Sequence, residues 1–95
     1  MFIVLLKFST NKNQAEPFMD GHRAWIKRGF DDGVFLLAGT LQPGLGGSIL
    51  AHNCTQAELE SRVAADPFVA EAVVTAEILA FTPARADDRL AFLLA

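Results

Sequence analysis

Two strand-like segments in this chain are apolar on both faces, and this property limits the fold more than any motif does. In Phe2–Phe8 the side chains of Phe2, Val4, Leu6 and Phe8 point one way and those of Ile3 and Leu5 the other, while Val34–Ala38 is apolar throughout. A sheet built from such strands needs cover on both faces. The chain has 95 residues, enough for one small domain. Domains this short bury a modest fraction of their surface, so a second subunit is a natural way to enlarge the core. The hydrophobic fraction is 52%, against a typical value of about 45–50% on a count that also includes Gly.

The other segments supply the first layer of cover. Beyond the polar, turn-like stretch Ser9–Asn13, a helix is expected over residues 15–31, with Pro17 in its first turn and Asp20 at the positive end of its dipole. Phe18, His22, Trp25, Ile26, Gly29 and Phe30 recur on it at three- and four-residue steps and form one apolar stripe. Gly33 then stops the helix. A second strand over 34–38 is followed by a glycine-rich connection over 39–47 and a third strand over 48–52. Thr55 and Glu58 form a capping box that opens a second helix, which Asp66-Pro67 ends. Phe68–Ala72 reads as a turn or a helical continuation, and residues 73–81 as a fourth strand. Thr82-Pro83 is placed to cap a short third helix in the apolar tail.

The element order is βαββαβ, the ferredoxin-like α+β arrangement, with both helices on one face of a four-stranded antiparallel sheet. The uncovered apolar face predicts a second copy packed against it, giving a dimeric α+β barrel. The tail offers an alternative, either covering part of that face or latching onto the partner.

This topology brings distant residues together. The first helix starts, the 39–47 hairpin turns and Asp66 arrives at one end of the sheet, and His52 lies at the other. His22 is expected roughly 10 Å below the start of its helix, at 1.5 Å per residue. A carboxylate beside an imidazole fixes its tautomer and stabilises the imidazolium, so the ring can take and return a proton near neutral pH. Glycines let backbone N–H groups approach an anionic or carbonyl oxygen. Gly39, Pro43, Gly46 and Gly47 therefore join Phe18, Trp25 and Phe68 as the expected binding wall. Each residue also has a plain structural reading. His22 and Trp25 can be core, Asp66 a helix stop, the glycines a turn, and Asp31-Asp32 and Asp87-Asp88 solvated faces.

Several functions are disfavoured. A net charge of -3 with dispersed Lys and Arg offers no general attraction to nucleic acid or anionic membrane. Two His residues at opposite ends of the sheet do not make a metal site. There is no serine nucleophile motif or phosphate-binding loop. Cys54 is the single cysteine, which excludes an intrachain disulfide. It adjoins the expected start of the second helix, where the dipole can lower a thiol pKa, yet without a matching motif it reads as a bystander. Met1–Leu6 is too short for a signal or a membrane span, so a soluble, cytoplasmic protein is expected.

Four runs resemble the YciI (YCII-related) family: His22-Arg23-Ala24-Trp25-Ile26, the Gly33–Gly39 strand, Pro43 followed by Gly46–Ala51, and Asp66-Pro67-Phe68. The resemblance covers residues 1–83 and leaves 84–95 as a separate apolar tail. It implies a dimeric ferredoxin-like α+β barrel, similar in architecture to muconolactone isomerase, with a His–Asp active-site dyad that falls on His22 and Asp66. One departure is Gly39-Thr40, where the family usually has Gly-Pro; it loosens the hairpin start and alters the pocket mouth.

The expected function is a homodimeric small-molecule enzyme using His22 as proton shuttle and Asp66 as its orienter. The reaction would be elimination, isomerisation or hydrolysis of a small, partly apolar substrate, with cyclic and aromatic molecules among the candidates, and with no cofactor. Two alternatives are a non-catalytic ligand-binding or stress-linked dimeric module, and a purely structural dimerisation unit. In the last, His22 would be sealed from any cavity and more than about 6 Å from Asp66, beyond direct hydrogen-bond reach.

Overall fold

The computed structural model describes residues 1–94. Strands β1 (Phe2–Phe8), β2 (Phe35–Leu41), β3 (Gly46–Ala51) and β4 (Val74–Ala80) form one antiparallel sheet in the order β2-β3-β1-β4. Helices α1 (Met19–Asp31), α2 (Gln56–Ala64) and α3 (Pro67–Ala70) connect them. This is the expected ferredoxin-like α+β fold.

The alternation of β1 divides its side chains between two environments. Phe2, Val4 and Leu6 are buried towards the helices, where Trp25, Phe35, Leu59, Val63 and Phe68 complete the core. Ile3 and Leu5 point to the opposite face and are only half-buried. Register places Leu50 and Leu79 opposite Ile3, and Leu37 opposite Leu50. Leu37 is 66% exposed and Leu79 44%, so the outer face of the sheet remains an apolar surface.

Local chemistry explains where the helices begin and end. Thr55 Oγ1 accepts from the Glu58 N–H (3.1 Å), and Glu58 Oε1 accepts from the Thr55 N–H (2.7 Å), closing the capping box ahead of α2. Gly33 takes φ +74° just after α1, a conformation that costs glycine little. The first helix starts later than expected. Residues 12–18 instead form two short 3-10 turns, Lys12–Gln14 and Glu16–Phe18, and Phe18 breaks the helical path at φ -104°, ψ 0°. Pro17 is the middle residue of the second of these turns, and with α1 starting at Met19 His22 lies in its first turn rather than two turns down.

The glycine-rich segment also differs from expectation. Gly39 pairs with Ser48 and Thr40 with Gly47, so these residues are strand, and the connection is only the four residues between Leu41 and Gly46. Gly46 (φ +138°) is held to glycine because a Cβ there would overlap the Leu6 carbonyl oxygen.

In the tail, Thr82-Pro83 caps no helix. A 3-10 helix spans Asp88–Leu94, and Asp87 accepts from the Arg89 N–H (3.0 Å) at its start. Leu90 and Leu93 flank a groove against Leu50, so the tail lies along one end of the outer face. Ala95, the last residue of the expected tail, is outside the described residues. Among the described residues, no helix is long and apolar enough to cross a membrane.

Candidate functional site

Three chain segments meet beside the end of the sheet that carries Phe8. Phe8 N–H donates to Leu45 O at the hairpin, and Ser9 N–H donates to Val73 O just beyond α3. The same end receives the first turn of α1, with His22. His52 follows Ala51, which pairs with Phe2 at the opposite end, and its ring lies edge-on to Phe92 instead.

Asp66 occupies the N-cap of α3 and is fully buried. Its Oδ1 accepts from the Phe68 N–H (3.1 Å), the usual bond of an Asp cap. The same oxygen is 2.8 Å from His22 Nδ1. A carboxylate oxygen that already accepts from a backbone N–H is an acceptor here too, so Nδ1 carries the proton of this bond and Nε2 is left as the free ring nitrogen. Among the described residues, Asp66 Oδ2 has no hydrogen-bond partner. Such a buried oxygen costs on the order of 1–3 kcal/mol.

The ring of His22 is held on its faces as well as its edge. Phe68 stacks on it with centroids 4.0 Å apart and planes 4° from parallel. Trp25 lies 5.9 Å away at 24°. The His22 side chain keeps 14% exposure, and that exposure opens into a cavity of about 380 Å³. The volume lies within the range of ligand pockets, about 300–1,000 Å³.

The cavity lies between the sheet and α1. Met19, His22 and Ile26 face it from the helix, at the steps that share one helical face, and Leu6, Phe8, Ile49, Phe68 and Val74 supply most of the remaining apolar wall. Gly39, Gly46 and Gly47 line it as expected, together with Ala38, Thr40 and Ser48.

Three expected wall residues lie elsewhere. Trp25 is turned into the core, where its Nε1–H donates to Arg62 O (2.9 Å) and Phe35 packs edge-on at 5.2 Å. Phe18 packs against the core at the end of its 3-10 turn, one residue before Met19 takes the cavity position. Pro43 is in the exposed connection between β2 and β3, past the last ladder pair. Conversely, Leu6, Phe8, Met19, Ile26 and Thr40 were not expected in the wall. The three- and four-residue spacing of Met19, His22 and Ile26 was the signal for two of them.

Other reactive groups are occupied or muted. Burial, followed by the charge of Glu58, pushes the Cys54 thiol above its ordinary value, opposite to the helix-dipole expectation. Asp31 pairs with Lys27 (2.7 Å) and Asp32 with Arg62 (3.0 Å) at the surface. Among the described residues, no group of three or more His, Cys, Asp or Glu side chains is placed to hold a metal ion.

No family model matches the chain, and no curated protein matches it in sequence. Among solved structures it is similar to the 5-chloro-2-hydroxyhydroquinone dehydrochlorinase TftG from Burkholderia phenoliruptrix AC1100, in its complex with 2,5-dihydroxybenzoquinone. The TM-score is 0.68 at 12% sequence identity, covering 85% of this chain and 93% of that one. At that identity the likeness establishes a shared fold and nothing finer.

Proposed function

We propose that this chain is a YCII-related small-molecule enzyme in which His22 and Asp66 act as an acid–base dyad. The observation that carries the reading is the 2.8 Å bond from His22 Nδ1 to a fully buried carboxylate, on a ring that also lines a ligand-sized cavity. This geometry opposes the purely structural reading, in which His22 is sealed and distant from Asp66. His22 Nε2 accepts a proton from the bound molecule, Asp66 holds the resulting imidazolium in place, and Nε2 returns the proton to the product or leaving group. In an elimination, the electron pair left by the removed proton forms the new π bond while the leaving group departs with its own bonding pair. Each of these steps needs a proton carrier and no electron acceptor.

The apolar wall favours a small, largely apolar, cyclic substrate. TftG is a dehydrochlorinase, and its complex holds a dihydroxylated quinone, which makes elimination from hydroxylated rings the first chemistry to screen. We also propose a homodimer, with a second copy covering the outer sheet face around Leu37, Leu50 and Leu79.

A panel of halogenated hydroxyhydroquinones, lactones and small esters tests the dyad. Turnover by the wild-type protein and its loss in a folded His22→Asn variant is the expected result. Undiminished turnover by His22→Asn would end the reading, and ligand binding without turnover across the panel would favour the non-catalytic module.

A further inference from the structure

We propose that Thr40 sets the specificity of this cavity by holding a second polar group of the ligand, while His22 holds the first. The proposal rests on the cavity being a substrate site and adds a substrate class to that reading: small, flat rings with polar groups at two separated positions.

Few side chains in the cavity wall can meet a polar group of a ligand. His22 is the one ionisable side chain in the cavity wall. The hydroxyl-bearing residues are Thr40 and Ser48, and register separates them. Ser48 pairs with Gly39 and with Leu5, whose side chain belongs to the outer face. Thr40 pairs with Gly47, which in turn pairs with the buried Leu6, so its side chain shares the inner face with the core. Thr40 therefore supplies the hydroxyl on the sheet side of the cavity, while His22 reaches the same space from the helix layer.

Gly47 keeps the floor between them open. A Cβ at Gly47 would meet nothing nearer than the Gly39 carbonyl oxygen at 3.4 Å, so neither packing nor a left-handed backbone demands glycine there. What its missing side chain provides is a gap between Thr40 and Leu6. A ring in that gap is sandwiched by apolar groups and hydrogen-bonded from above and below, and a ring with a single polar group satisfies only one of the two partners.

Calorimetric titration with 1,4-dihydroxybenzene and with phenol tests the assignment. Wild-type protein is expected to bind the diol roughly tenfold more tightly than phenol, the worth of about one hydrogen bond. Thr40→Val keeps the shape and strand preference of the side chain and should bring the diol to the affinity of phenol without changing that of phenol. Thr40→Ser should restore the preference. An unchanged preference in Thr40→Val, or an equal loss for both probes, would overturn the proposal. The parent reading is tested separately by His22→Asn. If His22→Asn weakens both probes while Thr40→Val leaves their ratio alone, only the Thr40 assignment falls. If neither probe binds the wild type, or His22→Asn changes nothing, both fall together.

Discussion

The imidazole of His22 lies almost parallel to the ring of Phe68, 4.0 Å away, while the backbone N–H of Phe68 and His22 Nδ1 share one oxygen of Asp66. One short segment, Asp66-Pro67-Phe68, thus fixes the ring in the plane by a hydrogen bond and across the plane by stacking. Replacing Phe68 by Leu keeps an apolar wall but removes the stack. The expected cost is about 1–2 kcal/mol of stability, with kcat falling by about tenfold or more as the ring loses its alignment. Urea denaturation and turnover of a compound from the substrate panel measure the two effects. A stability loss with kcat intact would mean that the hydrogen bond alone positions His22.

Asp66 has two duties that substitution can separate. Asparagine is as good an N-cap as aspartate, so Asp66→Asn should keep α3 and cost at most about 1 kcal/mol. It removes the negative charge beside the imidazole, and turnover should fall on the order of 10²-fold or more. Asp66→Ala loses the cap as well and should be measurably less stable than Asp66→Asn in thermal unfolding. Equal activity of wild type and Asp66→Asn would reduce Asp66 to a capping residue.

What could be read in advance follows the range over which each feature is decided. The Thr55–Glu58 capping box and the stop at Gly33 depend on residues within four positions of each other, and both form as expected. The approach of Asp66 to His22 spans 44 residues, but it follows from strand direction alone once the βαββαβ order is recognised. Trp25 takes the core place open to it, not the cavity wall, for a different reason. It shares a helical stripe with His22, and a modest rotation decides whether it faces the cavity or the core. That rotation is set by the Arg62 carbonyl and by Phe35, neither of which local spacing reveals. Glycine density at 39–47 was equally ambiguous, because glycine marks a turn and a flat, side-chain-free strand alike. The start of α1 moved because backbone geometry at Phe18 ends the 3-10 turns just before Met19.

Gly29 shows a packing constraint that overrides helix preference. Alanine favours a helix interior by about 1 kcal/mol over glycine, yet a Cβ at Gly29 would overlap the ring of the buried Phe35. Gly29→Ala is expected to lower stability by about 1–3 kcal/mol, as overpacking does. A shift of the denaturant midpoint to higher concentration would show that Phe35 yields freely.

The capping box should appear in the acid limb of stability. The Thr55 backbone N–H, followed by its hydroxyl, holds the Glu58 carboxyl below its ordinary value in the folded protein. A depressed folded value means that the contribution is present above the unfolded pKa and is lost as pH falls through the folded one. Glu58→Gln removes this dependence. The stability gap between wild type and Glu58→Gln should therefore be present at neutral pH and close as pH falls below the ordinary glutamate range. A gap constant from neutral to acid pH would contradict the assignment.

The outer sheet face gives the clearest test of association. Leu37 is the most exposed large apolar residue named on that face, at 66%, and it pairs with Leu50 at the centre of the apolar patch. Its substitution by Glu touches nothing in the core, so a single subunit should fold as before. In a face-to-face dimer, however, the new carboxylate enters the apolar patch of Ile3, Leu5, Leu50 and Leu79, and Lys7, the cation of β1 on this face, lies four residues along the strand from Ile3. Burying an unpaired charge there costs several kcal/mol, enough to shift a micromolar dimer to monomer. Sedimentation equilibrium should find a dimer for the wild type and a monomer for Leu37→Glu, with matching far-UV circular dichroism. A wild type that sediments as a monomer, or a Leu37→Glu variant that remains dimeric, would place the subunit contact elsewhere or remove it.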